Sequence, residues 1–98
     1  MKEGRIHYQA TADTDVVVSS KPALLHRIIF GADTASSTVE VSDSATDGDG
    51  NIKLKFASDS LMSDLGGDVE VYAVFREGIA ADIAAQADVT FVWSPLNL

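Results

Sequence analysis

The chain has no cysteine. Disulfides and thiolate metal sites are therefore excluded as sources of stability, although the absence says nothing about redox compartment. Proline is almost as scarce, with only Pro22 and Pro95 among 98 residues, so few positions bar a strand from continuing. Positive charge is thin: seven Lys and Arg stand against fifteen Asp and Glu, a formal net charge of −8. Such a balance repels phosphate backbones and anionic lipid, which argues against nucleic acid and membranes as partners. No apolar run approaches the roughly 20 residues of a membrane helix. The opening Met1-Lys2-Glu3-Gly4-Arg5 leads into a strand-like pattern and not into the apolar core of a signal peptide. A soluble protein without a secretory leader is the expectation.

What the chain does have is apolar side chain, 46% of its residues, spread along the whole length. That is enough to offset the entropy of ordering one backbone, and a chain of this size holds one core, so a single domain is expected over 1–98. The apolar residues recur with a period of two, in β-branched and aromatic runs broken by Gly, Asp, Asn and Ser. Strands are predicted at Arg5-Ile6-His7-Tyr8-Gln9, at Asp15-Val16-Val17-Val18, and at Leu24 to Phe30, whose near-continuous hydrophobicity predicts a central position. Thr38-Val39-Glu40-Val41 and Ile52-Lys53-Leu54-Lys55-Phe56 each alternate and read as a hairpin, with Glu40, Lys53 and Lys55 on one wet side. Asp68 to Phe75 puts Val69, Val71, Ala73 and Phe75 on one face, and leaves Tyr72 and Val74 on an opposite face that needs a cover. Asp88 to Trp93 is the last strand, stopped by Pro95.

Two segments break the pattern. Ser58 to Gly67, with Leu61 and Leu65 four apart and a following glycine, predicts about one helical turn near 59–65. Residues 79–87 are alanine-rich and carry helix propensity, yet a helix that short is marginal between strands, so a short strand plus loop is expected. Seven to eight short antiparallel strands with turns between them predict an all-β fold, a small β-sandwich of jelly-roll type. A sandwich of this size exposes sheet edges, which are managed by charge or by pairing with another copy; a homo-oligomer is expected.

The residues that could carry chemistry are few. Asp47, Asp49 and Asn51 set oxygens at alternate positions, with Asp43 nearby, as a calcium loop would. The sixth and twelfth positions of such a loop are Ile52 and Ser58 instead of glycine and glutamate, so the segment reads as a solvated hairpin loop without metal, and no cofactor is expected. His7 and His26 lie inside predicted strands and are assigned no role. No serine stands in a Gly-x-Ser-x-Gly turn, and neither Gly48-Asp49-Gly50 nor Gly66-Gly67 opens a helix as a phosphate loop must, so an enzyme is not expected. Tyr8, Tyr72, Phe91 and Trp93 could form a sugar-stacking platform; by parity Phe91 and Trp93 read as core or subunit interface, and Tyr8, Tyr72 and Val74 as surface. Tyr8, Tyr72, Val74 and Trp93 are the candidate interface residues. A small carbohydrate- or ligand-binding module, calcium-assisted through the 43–51 loop, is the alternative reading.

The order of these segments resembles small phage virion proteins of the capsid decoration, or cement, type. The resemblance lies in Tyr8-Gln9-Ala10-Thr11-Ala12, in Leu24 to Ile29, in Val39-Glu40-Val41-Ser42-Asp43 before an acidic loop, in Val74-Phe75-Arg76-Glu77-Gly78-Ile79, and in the close Ala87 to Trp93. It implies a non-enzymatic structural protein, soluble before assembly and trimeric or otherwise clustered. Such a protein sits on the virion surface and ties together the major capsid protein or other virion proteins. The resemblance carries no site motif onto named residues.

Overall fold

A computed structural model of the chain describes residues 4–31, 33–48, 50–58, 67–86 and 88–96. Eight strands follow in chain order: β1 (Arg5–Gln9), β2 (Asp13–Ser19), β3 (Ala23–Phe30), β4 (Asp33–Asp43), β5 (Ile52–Ser58), β6 (Asp68–Phe75), β7 (Ile79–Gln86) and β8 (Val89–Pro95). They form two antiparallel four-stranded sheets. The first runs β1-β8-β3-β6 and the second β2-β7-β4-β5. Strand one pairs with eight, two with seven, three with six and four with five. The pattern is that of one long hairpin folded over on itself, with β3–β8 and β4–β7 contacts closing each sheet. This is the eight-stranded jelly-roll order.

The core is the space between the sheets. Leu25, Ile28, Phe30, Phe75, Val89 and Phe91 of the first sheet meet Val39, Val41, Ile79, Ala81 and Ile83 of the second, all fully or almost fully buried. Period-two alternation supplies these side chains, because every second residue of a strand faces the same way. Phe30 and Phe56 meet edge to face with centroids 5.5 Å apart, across the sandwich. Val69, Val71 and Ala73 pack on this core as their parity predicts.

Alanine's helix propensity loses at 79–86, where the whole segment is a strand paired on both sides, by β2 and by β4. Two buried ladders outweigh a preference of a few tenths of a kcal/mol per residue. Its alanines also have a packing reason. Ala80 points away from the core, between Val17 and Ser42, and is nonetheless fully buried. Gly48 of the β4–β5 connection lies against the backbone oxygens of Thr14 and Ala81, where a Cβ has no room. Pro95 is the last residue of β8, opposite Ala23, not a residue beyond it. The helical turn expected near 59–65 lies outside the described residues.

Candidate functional site

The outer face of the first sheet carries a set of exposed apolar side chains around an ion-paired group, Arg27 with Asp68 and Glu70. In β1 the residues opposite the inward-facing Trp93, Phe91 and Val89 are Arg5, His7 and Gln9, so the polar residues of this strand point inward. Ile6 and Tyr8 point out, at 72% and 55% exposure. Across the sheet they are joined by Ile29 of β3 and by Tyr72 and Val74 of β6, all exposed, with half-buried Leu24 and Val92 between. Five of the seven large exposed apolar side chains among the described residues therefore share one surface. Singly exposed apolar residues are ordinary, whereas several on one sheet face make that face a candidate contact surface.

A double irregularity shapes the middle of this face. Between Leu25 and Arg27, β3 carries one residue more than β8, and β6 one more than β3. His26 is the extra residue on β3, so both His26 and Arg27 lie outward. Its Nε2 is 2.9 Å from the hydroxyl of Ser94, and its ring lies 5.8 Å from that of Tyr72. Tyr72 adopts a left-handed backbone, φ 50°, which a bulky residue enters only at a cost of order 1–2 kcal/mol. The neighbouring Arg27 guanidinium is held by Tyr72, by Asp68 at 2.9 Å and by Glu70 at 3.8 Å. Those contacts raise its already high pKa, the Tyr72 hydrogen bond most and the Asp68 charge next. The bulge thus lifts Tyr72 clear of the sheet and fixes it there with a cation. At the far edge the Tyr8 hydroxyl donates to Asp88, tying β1 to the β7–β8 turn.

The predicted site residues separate on this frame. Tyr8 and Tyr72 stand on the two edge strands of one sheet, with two strands between them, and the register sets Tyr8 level with Asp68 and not with Tyr72. Val74 lies near Tyr72 on the same face. Trp93 does not join them: it points inward, packs on the core, and lies under the Arg5 guanidinium at 5.6 Å. Phe91 is fully buried. The four aromatics do not form one platform. Ile6 and Ile29 escape a reading by parity, since an apolar residue alternating with polar ones points inward in most strands; the signal for Ile6 is the tryptophan opposite its neighbour Arg5, which sequence does not reveal.

In the acidic segment Asp43 is engaged by the backbone of a neighbouring turn. Asp43 is buried at the end of β4, and its carboxylate accepts from the backbone N–H groups of Arg76 (3.1 Å), Glu77 (2.8 Å) and Gly78 (3.4 Å). Burial pushes this carboxyl's pKa up, but the three donors and Lys53 at 3.9 Å outweigh it and hold it below the ordinary range. Asp43 is the clamp of the β6–β7 turn. Nor is the loop wholly solvated: Gly48 is buried, donates to Asp15 at 3.1 Å and accepts from the Ser42 hydroxyl at 2.7 Å. Asp47 and Asn51 are exposed; Asp49 lies outside the described residues. Among the described residues no group of three or more His, Asp or Glu could hold a metal ion.

The outer face of the second sheet carries charge. Glu40 is opposite both Lys55 and Asp82 on its two neighbouring strands, and Lys55 reaches it at 3.4 Å, as the alternation predicted. Lys53 sits at a register shift in β5 and turns instead to Asp43 and to the ring of Phe75. Burial, then the charges of Glu40 and Asp15, raise the pKa of Asp82.

Fold and faces define a class: a jelly-roll sandwich with most of its large exposed apolar side chains on one outer face, and with Gly48 of a connecting loop packed against strands of the other sheet. No protein-family model, no curated protein and no solved structure matches the chain.

Proposed function

We propose that the chain is a non-enzymatic structural protein of a virion, a capsid decoration subunit whose apolar sheet face docks on the assembled shell. The observation that carries the reading is the group Ile6, Tyr8, Ile29, Tyr72 and Val74 on the outside of the first sheet. Two further points support it: the resemblance of the strand phrasing to small phage virion proteins, and a fold that viral capsid proteins use among others. The latter is fold-level analogy and adds weight only beside the face.

Magnitudes favour a clustered mode of binding. Completing the burial of five half-covered side chains is worth about 1 kcal/mol each, or about 5 kcal/mol together. Association costs ~4–15 kcal/mol in lost freedom and ordering. One such face holds weakly alone and firmly when several copies engage a repeating surface together, which is how a trimer on a shell gains its avidity. The net charge of −8 per chain keeps free trimers from associating further before assembly.

Sedimentation of an infected-host lysate tests this. The chain is expected to travel with intact particles at high copy number, and light scattering of the purified protein is expected to give a trimer. A protein confined to the soluble fraction overturns the reading.

A further inference from the structure

The cations of this acidic chain are unevenly engaged. Arg27, Lys53 and Lys55 each reach a carboxylate. Arg5, Lys21 and Arg76 reach none within ion-pair distance among the described residues, and the first two line one cleft. It measures about 500 Å³ and opens between the sheets, where the edge strand β1 meets the end of β2; Ser20, Trp93 and Pro95 complete its polar and apolar walls. Its volume lies within the ~300–1,000 Å³ range of small-molecule sites.

The walls are held in place. The Ser19 hydroxyl donates to the Lys21 carbonyl at 2.8 Å and accepts from the Lys21 N–H at 3.3 Å, which fixes the β2–β3 turn. Leu96 donates to the Pro22 carbonyl at 3.1 Å and ties the opposite rim to that turn. Arg5 lies over the indole of Trp93, 5.6 Å from its centroid, a stacking that limits the freedom of the guanidinium. A planar fork stacked on an aromatic ring and a lysine thus line one opening. That pair of groups suits a carboxylate, bidentate on Arg and as a point charge on Lys.

We infer that this cleft binds a small carboxylate-bearing ligand of about monosaccharide size, with its charge on Arg5 and Lys21 and its body against Trp93 and Pro95. The site is separate from the docking face, because Arg5 and Trp93 point to the inner side of the first sheet and Ile6 and Tyr8 to the outer.

Trp93 is the only tryptophan in the chain, so its fluorescence reports on the cleft alone. Titration with D-glucuronate at low salt is expected to change the emission saturably, and glucose at equal concentration is expected to leave it unchanged. Arg5→Gln with Lys21→Gln is expected to weaken the response at least tenfold, and Arg5→Lys to weaken it less than Arg5→Gln. Arg5 and Lys21 are exposed, so circular dichroism of the variants is expected to match the parent. A flat titration, an equal response to glucose, or an undiminished response in the double variant overturns the assignment.

Discussion

The two outer faces of the sandwich are built from strands of similar length and finished in opposite ways. On the second sheet the chain covers part of itself: Ala80 is fully buried on the outer side, Gly48 packs against the backbone of Thr14 and Ala81, and Glu40 and Lys55 pair across adjacent strands. On the first sheet no described loop performs that service, and Ile6, Tyr8, Ile29, Tyr72 and Val74 meet solvent. The difference separates two jobs. Residues of the covered face hold the fold, and residues of the open face contribute little to it while remaining available to a partner.

Substitutions on the two faces are therefore expected to move different observables. The largest effect is on the open face: Ile6→Asp combined with Val74→Asp is predicted to weaken particle binding about 100-fold, because it places a charge on each side of the docking patch. The unfolding midpoint in urea is predicted to change little. Lys55→Glu, the matched change on the covered face, is predicted to leave binding intact, and a loss of binding there would break the comparison. Asp43→Ala comes next, with a predicted cost of about 2 kcal/mol in urea unfolding, because the backbone donors of Arg76, Glu77 and Gly78 lose their acceptor.

The same carboxylate predicts a pH dependence. Its folded pKa lies below its unfolded one. The stabilisation is therefore complete above the ordinary carboxylate range and is lost as pH falls through the folded value. In Asp43→Ala the acid limb of a stability-against-pH curve is expected to flatten. Gly48→Ala is predicted to cost ~1–3 kcal/mol, since the added methyl meets backbone oxygens that cannot swing aside. Smallest is Asp82→Asn, predicted to stabilise by ~0.2–1 kcal/mol at neutral pH by removing a like charge beside Glu40. Asp82's folded pKa is raised, so its penalty is present above that value and fades as pH falls through it; the gain should shrink in acid. A Tm series across pH checks the sign.

Much of the fold is legible in the sequence, because burial writes itself as alternation. The bounds of β1 and β6 follow from it directly, β3, β5 and β8 within a residue or two, and the inward set Val69, Val71, Ala73 and Phe75 is read correctly. Alternation says which residues share a side, and neighbours decide which side that is. In β1 the apolar pair points out because Trp93, Phe91 and Val89 of β8 fix the register. Asp43 reads as a loop acid because its partners lie 33 to 35 positions away. The alanines of β7 read as ambivalent until the two flanking strands, β2 and β4, are in place. The bulge at His26 and Tyr72 leaves no sequence mark, since tyrosine is not a residue chosen for a left-handed backbone.

Hydroxyl-radical footprinting of the protein, free and on particles, tests most directly whether the open face is the one that docks. Oxidation of Tyr8 and Tyr72 is predicted to fall sharply on particles, while Ile52, exposed at the start of β5 in the other sheet, stays as reactive as in the free chain. Equal labelling of both tyrosines in the two states, or protection confined to Ile52, would contradict the account.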